Sequence, residues 1–301
     1  MKTAILLMAY GSPTSMDDVY PYLQGIYHGR PVPEYAVHEN TEKYRMVNAI
    51  SPSNAILDSM ISKLKNRMKE KTIGIFLGNK HWKPWISEVV KDISEEGYRD
   101  IIAVPLFPFP SHNVIDSYVD PLTTIVERIA PQTNLTVVNG ISGRDEFIRM
   151  WADIIHKVET FNEPESLVLF TAHSLPNSLI DENDYDQAFK DAARKISEMS
   201  GITEYITAYQ SRGKYGDSWL EPSIYDALKT VETARKTKII TVPIGFLYTH
   251  LEVLYDLDLE FGNSVREHGL RYVRTELPDT KDYCIELLYN VIREKIDGKD
   301  N

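Results

Sequence analysis

The sequence predicts an α/β fold with a mostly parallel sheet, organised in two halves, and three observations support this prediction. Short apolar segments rich in Ile, Val, Leu and Thr recur along the chain, as in strands that are buried on both faces of a parallel sheet. Longer amphipathic segments separate them, in the alternation typical of α/β proteins. A weak internal repeat, residues 8–13 (MAYGSP) and 171–176 (TAHSLP), follows the first predicted strand of each half.

The predicted elements follow one another in order along the chain. Strands are predicted at 3–8, 72–77, 101–106, 135–138, 167–171, 204–209, 238–242 and 271–274. Helices are predicted at 54–70, 84–97, 113–129, 145–160, 184–199, 221–234, 250–260 and 279–296. Breaks at Asn139-Gly140 and Asn162-Glu163-Pro164 lead us to predict an N-terminal domain at 1–145 and a C-terminal domain at 146–301.

Length and composition restrict the class of protein. A chain of 301 residues forms one large or two mid-sized domains, and its net charge of −11 argues against a nucleic-acid partner. No apolar run approaches the roughly 20 residues that cross a bilayer, and the N-terminal apolar run is too short for a signal peptide. We therefore expect a soluble, cytoplasmic protein without an integral membrane span, and by default a monomer. The single cysteine, Cys284, excludes an internal disulfide and a Cys-rich zinc or iron–sulfur site.

Glycine-rich and nucleophile motifs of other α/β enzymes are missing from the sequence. It contains no G-x-G-x-x-G for dinucleotides and no G-x-x-x-x-G-K-[ST] for nucleotide phosphates. It also lacks the G-x-S-x-G nucleophile elbow of the α/β-hydrolases. The chemistry therefore has to come from other side chains at the carboxyl ends of the strands, where open α/β sheets bind ligands.

A histidine and an acidic helix are the main candidates for that chemistry. His173 follows the predicted strand 167–171. Glu252, Asp256 and Glu260 recur every four residues, which places them on one ridge of an α-helix, although such a ridge is also typical of a solvated helix face. One imidazole facing one carboxylate can bind Fe(II) or Zn(II) weakly, or accept protons.

The first half supplies hydroxyl groups, aromatic rings and cations instead. Tyr10 follows the first strand, and Arg30, Lys43 and Tyr44 come soon after it. Such groups suit the carboxylates of an otherwise apolar ligand, and they equally suit a charged surface. His81 lies beside two tryptophans that could form either core or the wall of a flat ligand site.

At these residues the chain resembles the ferrochelatase family, in particular its small bacterial-type members. The matching segments are residues 8–13 (MAYGSP), Tyr44 with 50–52 (ISP), 78–81 (GNKH), Ser117-Tyr118, 171–176 (TAHSLP), Gln210-Ser211 with Trp219-Leu220, and 242–256 (VPIGFLYTHLEVLYD). The resemblance implies two flavodoxin-like (chelatase-like) halves, each a parallel sheet flanked by helices, with a porphyrin cleft between them. It also implies that Fe(II) and a porphyrin are the substrates and that no cofactor is tightly bound.

The resemblance further implies roles for single residues. His173 and Glu252 would be the catalytic, metal-binding pair, and Asp256 and Glu260 would extend the metal site along the helix. Tyr10 matches the tyrosine that, in the coproporphyrin-using branch, can ligate iron in the product. The other implied porphyrin contacts are Arg30, Lys43, Tyr44, Ser51, His81, Tyr118 and Trp219.

The sequence departs from the family at some positions and leaves alternatives open. Lys43 stands where close relatives often carry arginine, so the bidentate fork for a propionate is lost. With one cysteine, the chain cannot bind the [2Fe–2S] cluster of longer members. Two other functions remain: a chelatase for cobalt or nickel on the same fold, and a non-catalytic carrier of haem or metal. Protoporphyrin IX and coproporphyrin III are both possible substrates.

Overall fold

Two four-stranded sheets form within residues 2–48, 50–179, 184–213 and 218–298, the part of the chain that the computed structural model describes. The strands are β1 (Thr3–Ala9), β2 (Ile73–Asn79), β3 (Asp100–Pro105), β4 (Asn134–Val137), β5 (Ser166–His173), β6 (Tyr205–Gln210), β7 (Lys238–Val242) and β8 (Arg271–Arg274). The sheet orders are β2-β1-β3-β4 and β6-β5-β7-β8, and all neighbouring strands pair in parallel. Both sheets thus repeat one arrangement, in which the second strand along the chain forms the edge of the sheet beside the first.

Helices connect the strands of both sheets. They are α1 (Val19–Ile26), α2 (Glu34–Met46), α3 (Ser53–Met68), α4 (Ile86–Glu95), α5 (His112–Ile129), α6 (Asp145–His156), α7 (Asp184–Ser200), α8 (Ile224–Thr233), α9 (Gly262–Glu267) and α10 (Asp282–Asp297). A π-helix, Val253–Phe261, runs directly into α9. Short 3₁₀ turns occur at Met16–Asp18 and Asn177–Leu179.

The predicted parallel α/β fold is confirmed, and each predicted strand is present with small shifts at its ends. The prediction succeeds because these strands are buried on both faces, so their sequences are almost continuously apolar. All residues of β3 and β7 are buried, for example. The sequence did not predict α1 and α2, and α2 has mostly polar residues and buries only Ala36 and Tyr44.

The described residues form two compact units, and the chain enters each of them more than once. The first unit contains the described residues of 1–106, 115–139 and 279–301, and the second contains 107–114 and 140–278. This division differs from the predicted single boundary after residue 145, which assigns α10 to the second half.

Contacts between α3 and α10 give the physical reason for this difference. Lys63 Nζ donates to the Thr280 carbonyl at 2.7 Å, and Arg67 forms two hydrogen bonds with Glu286 at 3.0 and 3.1 Å. The Arg67 guanidinium also lies over the Tyr289 ring, 3.9 Å from its centroid. A local pattern of apolar residues predicts that a helix forms at α10, but not which sheet it covers.

Gly245, in the loop after β7, is expected to tolerate no side chain. Its N–H donates to the Thr171 carbonyl at 3.1 Å, and an added Cβ would lie 2.8 Å from the Cα of Ala172, which is part of β5. Gly245→Ala should therefore lower the free energy of unfolding by about 1–3 kcal/mol, measured by urea denaturation. Gly143→Ala is the matched control, because a Cβ there meets no atom within 4 Å. Equal effects at both positions would contradict the steric explanation.

Candidate active site

The second sheet brings the ends of three strands to one edge. His173 is the last residue of β5 and pairs in register with Gln210, the last residue of β6. The adjacent strand β7 ends at Val242, and the loop after it leads to His250 and the π-helix. Because parallel strands all end on the same side of a sheet, polar side chains from these segments converge there.

One carboxylate lies between two imidazoles at this edge. Glu252 Oε1 is 3.5 Å from His173 Nε2, and Glu252 Oε2 is 3.7 Å from His250 Nε2. The three side chains are half-buried, with 27% of His173, 38% of Glu252 and 22% of His250 exposed. The structure thus brings together the two residues predicted as the catalytic pair. It adds His250, which sequence reasoning did not select although it lies two positions before Glu252.

The surroundings shift the pKa values of the two imidazoles in opposite directions. Burial lowers the pKa of His173, but the charge of Glu252, its hydrogen bond and the Ser174 carbonyl outweigh burial and raise this pKa to about 9. Burial lowers the pKa of His250 to about 4, because the attraction of Glu252 is too weak to offset it and His173 adds repulsion. Near neutral pH, His173 is therefore an imidazolium and His250 a neutral imidazole. Such opposed shifts in one site are typical of acid–base chemistry.

Main-chain contacts hold His173 in place. Its Nδ1–H donates to the Ser174 carbonyl, which leaves Nε2 to face Glu252. The buried Tyr185 hydroxyl donates to the His173 carbonyl at 2.8 Å. The Tyr185 ring stacks on Phe107 with ring centroids 5.7 Å apart, so the tyrosine is itself fixed by packing. The orientation of the imidazole therefore depends on the fold of the second unit.

The acidic helix is a π-helix from Val253 to Phe261, so the predicted α-helix at 250–260 is wrong in type. Hydrogen bonds from i to i+5 widen each turn of this helix. The three carboxylates differ in environment: Glu252 is half-buried, Asp256 is buried at 6% exposure, and Glu260 is exposed. π-Helical turns are frequent at functional sites, and the i, i+4 spacing in the sequence gave no sign of one here.

Each further carboxylate of the π-helix has a partner from another element. The Ser211 hydroxyl, just after β6, donates to Asp256 Oδ2. Arg274 of β8 forms two hydrogen bonds with Asp258, at 2.6 and 2.8 Å.

Tyr225 of α8 is hydrogen-bonded to Glu260, and burial followed by the charge of Glu260 raises the pKa of this phenol. Sequence reasoning missed the roles of Ser211, Tyr225 and Arg274, because these residues are distant from the π-helix in sequence.

Three buried nitrogen atoms near the end of β5 lack a hydrogen-bond partner among the described atoms. They are Gln210 Nε2, Trp219 Nε1 and His250 Nδ1. Trp219 forms an isolated bridge with Pro176, three residues after His173. Buried polar groups are nearly always satisfied in native proteins, so these three atoms are available to ordered water or to a ligand. The described residues contain no group of three His, Cys, Asp or Glu side chains that could hold a metal ion.

In the first unit, Tyr10 and His81 lie side by side. They follow the paired ends of β1 and β2, Ala9 and Asn79, and their ring centroids are 4.5 Å apart. Tyr10 is 42% exposed, whereas His81 is buried and its Nδ1 is 3.3 Å from the Gly25 carbonyl. Burial, with repulsion from Lys80 as a smaller cause, lowers the pKa of His81 to about 4. Both are predicted porphyrin contacts, and that role stays a prediction.

Two cations of the first unit have neutral partners. Lys80 Nζ donates to the Ser117 hydroxyl at 2.6 Å and lies 4.6 Å from the centroid of the Tyr118 ring. Burial lowers the pKa of Lys80. The exposed Arg30 donates its Nε–H to the Tyr27 carbonyl at 3.2 Å. Neither of these partners neutralises the positive charge, which leaves both cations suited to an anionic ligand.

The remaining predicted porphyrin contacts of this unit interact with neighbouring side chains. Tyr44 is 2% exposed, with its hydroxyl 3.4 Å from that of Ser12. Ser51 is 3% exposed and donates to the Ser53 hydroxyl at 3.0 Å. Lys43 is half-buried, and its Nζ lies 3.8 Å from Glu39. Their contacts with porphyrin stay predictions, as does the role of Trp219.

His81 should make the fold sensitive to acid. Its pKa is about 4 in the folded chain against an ordinary value of 6.5, so the unfolded chain binds the proton more tightly. Stability is then lost as the pH falls from 6.5 towards 4, by up to about 3 kcal/mol. In urea denaturation at several pH values, His81→Gln should flatten this part of the stability profile. His38→Gln, at an exposed position on α2, should leave it unchanged, and an equal slope in H81Q and the wild type would contradict the assignment.

Comparison with known proteins identifies close relatives. A family model described as "Ferrochelatase" matches residues 2–296. The chain is 42% identical over 299 residues to "Ferrochelatase" of Thermoplasma volcanium, with 98% of this chain and 94% of the relative covered. It is 33% identical over 311 residues to "Coproporphyrin III ferrochelatase" of Halalkalibacterium halodurans, with 99% of each chain covered.

Solved structures confirm the fold class. The cobalt complex of the sirohydrochlorin chelatase SirB from Bacillus subtilis subspecies spizizenii matches with a TM-score of 0.64 at 13% identity, covering 100% of this chain and 97% of that one. At this identity the similarity concerns the fold alone, which is α/β with two chelatase-like halves. No helix of the described residues has the length and apolar character to cross a membrane. The cytoplasmic location, the monomeric state and the lack of a bound cofactor stay predictions.

Proposed function

Because the chain belongs to the ferrochelatase family, it inserts iron into a porphyrin in haem synthesis, and we propose that Glu252, between His173 and His250, is the centre of that reaction. The observation that carries this proposal is the contact of one carboxylate with two imidazoles, at 3.5 and 3.7 Å. The carboxyl edge of a parallel sheet is also where α/β proteins bind their ligands.

The reaction exchanges two pyrrole protons for one Fe(II) ion. Two N–H bonds of the porphyrin break, their electron pairs remain on nitrogen and bind the metal, and two protons leave. Glu252 and His173 can accept these protons one at a time once His173 has given up its own, since the carboxylate and the neutral imidazole are both bases. His250 has a pKa of about 4 and stays neutral, so Glu252 keeps its negative charge without a second cation beside it.

We propose that Glu252 and His173 bind an Fe(II) ion that approaches this group, while His250 remains a neighbour of Glu252. The ion competes with the proton on His173, because a metal binds only the neutral imidazole. Two protein ligands bind a divalent ion less firmly than the three or four ligands of a permanent site. Weak binding suits an enzyme whose metal is a substrate, because the ion must pass on to the porphyrin.

For the porphyrin, we propose coproporphyrin III rather than protoporphyrin IX. Coproporphyrin III carries four propionates, and protoporphyrin IX carries two propionates and two vinyl groups. Arg30 and Lys80, whose hydrogen-bond partners are neutral, favour the more anionic ring. The relative in Halalkalibacterium halodurans is named for the same porphyrin. Tyr10, exposed beside His81, supplies a phenol of the kind expected in that branch of the family.

Anaerobic assays of the purified protein test these proposals. Fe(II) insertion is followed by visible absorbance with both porphyrins side by side, and we expect a higher kcat/KM for coproporphyrin III. A preference for protoporphyrin IX would overturn the proposed substrate. Insertion of Co(II) or Ni(II) without Fe(II) would identify a chelatase for another metal. Stoichiometric retention of iron porphyrin without turnover would indicate a carrier.

A further inference from the structure

We propose that Ser211 is a positioning residue that fixes the carboxylate of Asp256 for iron insertion. This inference rests on the proposed function, because it concerns the same edge of the second sheet. Gln210-Ser211 is one of the segments that resemble the ferrochelatase family, and the reaction described above gives Ser211 no role. Three observations support the proposal: its backbone conformation, its hydrogen bond and its attachment to the strand of His173.

The backbone of Ser211 lies in the left-handed region, with φ at 60°. Serine rarely adopts this conformation, whereas glycine adopts it without steric cost. Four other left-handed non-glycine residues of the described chain follow the ends of helices, where such a turn is routine: His28, Asn48, Lys69 and Arg235 follow α1, α2, α3 and α8. The fifth, Asp279, lies between β8 and α10, and aspartate adopts this conformation more readily than most residues. Ser211 instead follows a strand, so helix termination does not explain its conformation.

The hydrogen bond from Ser211 explains why serine and not glycine occupies this position. Its hydroxyl donates to Asp256 Oδ2 in the π-helix. Asp256 is 6% exposed, and a carboxylate with so little access to water needs donors from the protein. Glycine would relieve the backbone strain but would leave Asp256 without this donor. A strained residue persists where its surroundings determine its geometry, as they do at many functional sites.

Gln210, the residue before Ser211, is held in place at the end of β6. It is paired in register with His173, its carbonyl accepts the Ser174 N–H at 2.7 Å, and its side-chain oxygen accepts the Thr171 hydroxyl at 2.8 Å. The chain must therefore turn sharply within one residue to bring a hydroxyl from this strand end to the π-helix. Ser211 thus connects the strand end that carries His173 with the helix that carries Asp256.

The function of this connection is to select one orientation of the Asp256 side chain. A carboxylate that accepts a hydrogen bond at one oxygen keeps a single rotamer, and the second oxygen is then held in a defined position as well. Asp256, the carboxylate that follows Glu252 along the π-helix, is here a further metal-binding side chain on the path of the ion, and hydrogen-bond donors behind such side chains are typically worth about 10- to 100-fold in metal affinity or activity. We expect an effect of that size on kcat for iron insertion, with little change in KM for the porphyrin.

Two substitutions separate the hydroxyl from the backbone. Ser211→Ala removes the hydroxyl and keeps the strain, and Ser211→Gly removes the hydroxyl and relieves the strain. If Ser211 positions Asp256, both variants should lose about 10- to 100-fold in kcat, although S211G should unfold at a higher urea concentration than S211A. If Ser211 serves only to turn the chain, S211G should match or exceed the wild type in kcat, and the proposal is overturned.

A double-mutant cycle with Asp256→Asn provides the decisive test. If the hydroxyl acts through Asp256, Ser211→Gly should have no further effect on kcat in the D256N background, whereas independent effects would multiply and would refute the proposal. Calorimetry with Zn(II) as the probe repeats the cycle without turnover. Wild-type protein that inserts no iron would overturn the proposed function, but the affinity for Zn(II) would still decide the role of Ser211. Equal weakening of Zn(II) binding in S211G, D256N and the double variant supports that role. Weakening that is additive in the double variant, or absent in S211G, contradicts it.

Discussion

Replacing Glu252 with glutamine is expected to lower kcat for iron insertion by about 100- to 10,000-fold, the range for loss of a proton-accepting group. Glutamine keeps the size of the side chain but cannot accept a proton at neutral pH, and it removes the negative charge between His173 and His250. The affinity for porphyrin should change little, because the substituted group acts on the metal and the protons. Anaerobic steady-state kinetics gives kcat, and fluorescence quenching of the porphyrin gives its Kd.

Glu267→Gln is the matched control for this substitution. Glu267 is exposed at the end of α9, in the helical segment that continues the π-helix, and its substitution should leave kcat unchanged. An E252Q variant with kcat within about threefold of the wild type would exclude Glu252 as the centre of the reaction. A second readout is the His173 imidazole, whose pKa should fall well below 9 in E252Q because the raising effect of Glu252 is gone. Titration of the imidazole by NMR measures this pKa.

Sequence reasoning succeeded where local pattern determines structure. The strands at β3 and β7 are wholly buried, and such segments carry an apolar sequence that is independent of their neighbours. The strand-end rule placed His173 and the acidic helix at one edge of a sheet, and the resemblance to the ferrochelatase family selected Glu252 as the partner of His173. These features needed no knowledge of distant contacts.

Features that depend on distant contacts could not be predicted. The apolar face of α10 does not reveal which sheet it covers, and contacts such as those with Lys63 and Arg67 of α3 place it in the first unit. The π-helix buries Val253, Leu257 and Phe261, and apolar residues at this spacing are equally typical of an α-helix. The i, i+4 spacing of its acidic residues is typical of an ordinary α-helix.

The partners of the acidic side chains were missed for the same reason. Ser211 and Tyr225 reach the π-helix from β6 and α8, and no spacing in the sequence indicates these contacts. His250 is different, because it lies two positions before Glu252 and could have been selected. Its two-residue separation does not place the two side chains on one face of an α-helix, which is why spacing favoured Asp256 and Glu260 instead.

The rate of metal insertion should rise steeply with pH between 7 and 9. His173 has a pKa of about 9, so most of it carries a proton at pH 7, and a protonated imidazole neither accepts a pyrrole proton nor binds a metal. With porphyrin saturating, kcat/KM for the metal should increase by about tenfold per pH unit and level off near pH 9. Zn(II) is a suitable substrate for this assay because it does not oxidise. A profile that is flat from pH 7 to 9 would contradict a role for neutral His173.

The same proton affects stability in the opposite direction. The pKa of His173 is raised in the folded chain, so its pairing with Glu252 stabilises the fold fully below the ordinary value of 6.5, and this contribution is lost as the pH rises through 9. Urea denaturation from pH 6 to 10 should show that loss in the wild type and not in His173→Asn, which has no proton to release. Activity and stability are therefore expected to change in opposite directions over one pH range. A common cause requires that the loss of stability ends at the pH where activity levels off, near 9, and end points more than about one pH unit apart would assign them to different groups.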